Sequence, residues 1–120
     1  MMIAIDGAPT GVIAYRAVGT VTSDDYAAIL RPAIAAAADS GAGVRIVIEL
    51  GPDFDGYSAG AAWDDLSLGS KHLAEWRRCA LVTDHRVLAD AVRAVGLFMP
   101  GEVRVFPVAE LDAAMAWAAG

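Results

Sequence analysis

Few side chains in this 120-residue sequence can do chemistry, and their spacing limits which chemistry is open. The two histidines each have carboxylates near them in sequence: Asp64, Asp65 and Glu75 around His72, and Asp84 beside His85. A histidine next to a carboxylate can act as a general base or bind a metal. His72 and Glu75 stand at i,i+3, but no third ligand follows at a recognisable spacing, so no metal site is expected. The sequence has no HExxH pair, nucleophile elbow, GxGxxG or P-loop; Gly56 and Gly60 flank Ser58 without the lysine a P-loop needs. His72 is therefore expected to orient a loop through a hydrogen bond, with Asp64 and Asp65 on a solvated helix face. Cys79, in the run Cys79-Ala80-Leu81-Val82, reads as a buried strand thiol rather than a nucleophile. Neither a catalytic residue set nor a cofactor is expected.

The remaining candidates are apolar. Phe54, Tyr57, Trp63 and Leu66 lie on or beside a loop and helix that follow a strand, at the sheet edge where open α/β folds bind ligands. Leu97, Phe98 and Met99 form a second cluster just past Gly96, where the chain should turn. Large apolar side chains outside a regular element must bury against core, ligand, partner or membrane. The leading expectation is a pocket or lid built from the segments 57–76 and 97–99. It would hold a small apolar or lipid-like ligand, with His72 among its lining. Core packing and a homodimer contact remain open for the same residues.

Charge narrows the partners. Nine Lys and Arg against 15 Asp and Glu give a formal charge of -6, which repels phosphate backbones, so no nucleic-acid partner is expected. Arg77-Arg78 is the densest basic point; it reads as a solvated turn that could touch anionic head groups only together with the apolar clusters. Hydrophobic types reach 57%, but 26 residues are alanine and no uninterrupted apolar run approaches the roughly 18 residues of a membrane span. No export leader is recognised, and a cytoplasmic location is expected.

These residues need elements to position them. Met2 to Asp6 and Val12 to Val18, joined by a Gly/Pro turn, predict a hairpin. Thr22-Ser23-Asp24-Asp25 resembles a capping box, and Tyr26, Ile29, Leu30, Ala33, Ile34 and Ala37 then recur at helical spacing. Pro32 falls on the opposite face and predicts a bend. Val44 to Leu50 is β-branched, nearly continuous and central in expectation. After the loop Gly51 to Tyr57 come a helical segment from about Ser58 to Leu68 and a further turn or two over Lys71 to Trp76. Cys79 to Thr83 is the fourth strand. Asp84 is read as the cap of a helix His85 to Val95 with Val87, Leu88, Ala91, Val92 and Val95 buried and Gly96 at its C′ position. Val103 to Phe106 is the fifth strand, and a helix from about Ala109 to Ala119 follows it. The order β-β-α-β-α-β-α-β-α predicts one α/β domain over residues 1–120. Its sheet is five-stranded, mixed and mostly parallel, with an antiparallel first strand and helices packed on it.

This order is similar to that of STAS domains, the fold of anti-sigma factor antagonists. The middle of the chain is more specific. Asp53-Phe54-Asp55-Gly56-Tyr57-Ser58-Ala59-Gly60-Ala61, Trp63-Asp64-Asp65 and His72 resemble the bacterial SpoIIAA-like family. So do Ala80-Leu81-Val82-Thr83-Asp84, Met99-Pro100-Gly101-Glu102-Val103-Arg104-Val105-Phe106 and Thr22-Ser23-Asp24-Asp25-Tyr26. The resemblance implies a STAS-like sheet related in fold to CRAL-TRIO lipid-binding domains, an apolar pocket between helices and sheet, and transient contact with a membrane surface. It also implies an alternative: a regulatory module with a protein partner, in which Ser58 matches the phosphorylated serine of the antagonists. Phosphate at a helix start would be favoured by free amides and the helix dipole, whereas a plain N-cap serine is the simpler role.

Overall fold

The run Val-Arg-Ile-Val-Ile-Glu-Leu becomes the central strand because β-branched side chains suit a pleated surface covered on both sides. The computed structural model describes residues 1–58, 60, 73–98 and 100–120. Its strands are β1 (Met2–Ala4), β2 (Ile13–Ala17), β3 (Gly19–Val21), β4 (Val44–Leu50), β5 (Phe54–Tyr57), β6 (Trp76–Thr83) and β7 (Glu102–Phe106). The described helices are α1 (residues 23–39), α2 (Arg86–Gly96) and α3 (Leu111–Ala119). The main sheet runs β1-β2-β4-β6-β7, with β1 antiparallel to β2 and the other pairs parallel. That is the expected architecture.

Alternation along the strands divides the core in two. On one face Val44, Ile46, Leu50 and Leu81 meet Tyr26, Leu30 and Ile34 of α1, with Leu88 and Val92 of α2 packed alongside. On the other, Ala14, Val47, Ala80, Val82 and Phe106 meet Ala114, Met115 and Ala118 of α3. All three parallel steps move the same way across the sheet, so α1 and α2 share a face and, among the described residues, α3 is the helix that covers the reverse.

The start of α1 forms as the sequence predicts. Asp25 Oδ2 accepts from the Thr22 amide at 2.8 Å, and the Asp25 amide donates back to the Thr22 hydroxyl at 3.4 Å. Burial works against the Asp25 charge, but the bonds from Thr22 and the Met1 ammonium, 3.2 Å away, outweigh it and hold the carboxyl below its ordinary value of 3.8. A lowered folded-state value adds stability above the unfolded value, and that stability is lost as pH falls through the folded one. Urea titrations of the parent and Asp25→Asn should therefore show a constant gap at neutral pH that closes below about pH 4. Ahead of Pro32, where the sequence predicts a bend, the helix widens into a π-turn over Tyr26–Leu30, closed by the Arg31 amide on the Tyr26 carbonyl. Pro32 has no N–H for the Ala28 carbonyl, and the wider turn absorbs that loss.

Five expectations are corrected. Residues 51–57 are not all loop: β5 pairs in parallel with β3, a second small sheet beyond the point where the sequence ended its second strand. Gly19 stops β2 but, at φ +65°, turns the chain into β3 rather than out of strand structure. The α2 stripe is shifted: Leu88, Ala89 and Val92 face inward, while Val87 and Val95 are 71% and 58% exposed. Finally, His85 rather than Asp84 caps α2, its Nδ1 accepting from the Leu88 amide at 3.4 Å. Gly96 is the last helical residue with an ordinary φ, and a Cβ there would lie 2.8 Å from Val103 Cβ. Its smallness lets α2 approach β7.

Candidate functional site

The aromatic candidates on β5 are tied into the fold. The Phe54 and Tyr57 rings meet edge to face, with centroids 5.3 Å apart, and both pack against the α1-side core while remaining half-exposed. The Ser58 amide donates to the Val21 carbonyl at 2.8 Å, so Ser58 extends the β3–β5 ladder. Leu97 and Phe98 are placed differently. Their amides bond back to Ala94 and Val95 at 3.3 and 3.0 Å, continuing the α2 spiral, yet the side chains are 84% and 85% exposed. They belong to neither core cluster. Phe98 instead prolongs the outer row Val87, Ala91 and Val95, spaced one turn apart along α2. The candidates therefore divide into a core-bound pair and an uncovered apolar row. Trp63, Leu66, His72 and Met99, with Asp64 and Asp65, lie outside the described residues, as does most of the helical segment expected from Ser58.

The other sequence candidates have structural tasks. Asp84 Oδ1 accepts from the Val108 amide at 3.1 Å, tying the end of β6 to the turn after β7. Cys79 is half-buried against the α1-side core. Arg77 and Arg78 lie in β6, not in a solvated turn before it. Arg78 Nη1 donates to the Trp117 carbonyl at 2.6 Å, and Arg45 Nη1 to the Ala118 carbonyl at 2.8 Å. The two guanidinium groups thus meet the negative end of α3.

Sequence reasoning missed two charged clefts at the C-terminal ends of the strands. The smaller, about 210 Å³, is bounded by Arg16, Glu49 and Asp53. Glu49 is only 5% exposed and forms a hydrogen-bonded ion pair with Arg16, the partner a buried carboxylate requires. The larger, about 500 Å³, opens between the end of β7 and the first turns of α2. For the smaller cleft the available signal was a charged residue inside an otherwise apolar strand, as Arg16 is in β2 and Glu49 in β4; no such signal marks the larger. Among the described residues, no three metal-ligating side chains converge and no helix is long and apolar enough to cross a membrane.

Comparison with known proteins agrees with the fold. A family model described as SpoIIAA-like matches residues 12–119. The crystal structure of an uncharacterised protein with a SpoIIAA-like fold from Shewanella loihica PV-4 is similar, with a TM-score of 0.74 and 29% identity. The match covers 98% of this chain and 90% of that one. No curated protein matches.

Proposed function

The chain belongs to the SpoIIAA-like family, and from that premise we propose that it is a binding domain for a small apolar or amphipathic ligand rather than an enzyme. The observation that carries this reading is the outer row of α2. Val87 and Val95 on α2, and Leu97 and Phe98 just past its end, are each more than half exposed, while the inner face of the helix already packs on the sheet. Covering such a row removes apolar surface from water at about 25 cal/mol per Å². The ligand would lie along this row, and the masking of Leu97 and Phe98 would supply most of the gain.

The test is native mass spectrometry of gently purified protein, followed by titration with oleate while tryptophan fluorescence is monitored. A bound lipid-sized mass and a saturable fluorescence change are expected. The double variant Leu97→Ser/Phe98→Ser should weaken oleate binding at least about tenfold, because two large apolar contacts are lost. Its thermal stability should match the parent's, since neither side chain is in the core. Absence of both a bound mass and a fluorescence response would refute the reading.

A further inference from the structure

We propose that the cleft where β7 ends beside the first turns of α2 binds a small organic monoanion, a carboxylate carried on an apolar body. This site is separate from the outer row of α2 and goes beyond the apolar-ligand reading. The cleft measures about 500 Å³, within the usual size of small-molecule sites. Its apolar lining is Ala89, Val105, Phe106 and Pro107, and its charged lining is Asp84, Arg86, Asp90 and Arg93.

The charged groups are not equivalent. Arg93 and Asp90 pair with each other at 3.3 Å. Asp84 is tied to the Val108 amide. The Thr83 hydroxyl also faces the cleft, but it donates to the Leu50 carbonyl at 3.1 Å and accepts from the His85 amide at 3.1 Å. Arg86 makes no hydrogen bond or ion pair among the described residues. It is the cation left over for a ligand. Its planar fork fits a carboxylate through two parallel bonds, and its place at the first residue of an 11-residue helix adds the positive end of the helix dipole. The apolar lining beside it would receive the rest of the molecule.

Charge also selects among anions. Asp84 and Asp90 stand on the same rim, and the whole chain carries -6, so a second negative charge on the ligand would be repelled. A monoanionic carboxylate is favoured over a phosphate dianion on these grounds.

The test is a titration of isotope-labelled protein with phenylacetate, phenylacetamide and inorganic phosphate, following the Ala89 and Val105 amides by NMR. Phenylacetate should shift both amides saturably. The uncharged amide and phosphate should bind at least tenfold more weakly. Arg86→Gln should weaken phenylacetate at least tenfold while leaving amide positions elsewhere unchanged. Equal binding of phenylacetamide, or undiminished binding by Arg86→Gln, would overturn the proposal. Shifts confined to the Leu97 and Phe98 amides would overturn it too, while leaving the apolar-ligand reading intact.

Discussion

Replacing Leu30 with alanine is expected to lower stability by about 3–4 kcal/mol, within the range seen for buried leucines. Leu30 is 4% exposed and packs with Tyr26 and Ile34 where α1 meets the sheet. It ends the π-turn, and Pro32 fixes the backbone two residues later. The turn cannot easily close over the lost methyl groups, so most of the cavity should remain. In a domain of this size the loss corresponds to about 12–16 °C in Tm by calorimetry. Leu30→Met, which keeps the volume, should cost less than about 1.5 kcal/mol. A Leu30→Ala loss below that of the methionine variant would contradict this packing of α1.

Arg78→Ala should be the next most costly change, at about 2 kcal/mol. The guanidinium bonds to the Trp117 carbonyl, lies 5.1 Å above the Trp117 ring and pairs with Glu102 at 3.1 Å. A charge-assisted hydrogen bond contributes about 1.5–3 kcal/mol and an exposed cation–π contact about 0.5–1. The partial exposure of Arg78 lowers that sum, and the Glu102 pair adds little because Glu102 is itself exposed. Lysine cannot supply a planar fork to the carbonyl and the ring together, so Arg78→Lys should recover only part of the loss. Urea titration gives the free energy. Equal stability of the parent, Lys and Ala forms would mean that α3 docks by apolar contact alone.

The parallel strands were legible because β4 and β6 carry dense β-branched or apolar runs and the intervening segments have helical spacing. The β3–β5 sheet was not. Each strand is only three or four residues long, and glycines in both imitate turn signals. Pairing of two distant short segments creates that sheet, and no local propensity reports such pairing. On α2, the row Val87, Ala91, Val95 and the row Leu88, Val92 are both apolar and lie about 100° apart on the helix. The sheet can cover only one of them, and periodicity does not say which. The site was legible to the same degree: Leu97 and Phe98 stood out as apolar residues without an element, whereas Arg86 had no pattern to mark it. Its significance comes from the i,i+3 pairing of Arg93 with Asp90 on the helix and the anchoring of Asp84 to Val108, which only the fold brings beside it.

The place of α3 on the reverse face of the sheet has a consequence for the order in which the protein is made. By the time Phe106 is added, all seven described strands and both other described helices have been synthesised. Yet Ala14, Val47, Ala80 and Val82 still lack the Ala114, Met115 and Ala118 surface that seals them. At about 5–20 residues per second, the ribosome needs about one to three seconds to supply the remaining residues to Ala119. That face of the sheet therefore cannot be sealed before residues 111–119 are available, so the second half of the core closes after the first can.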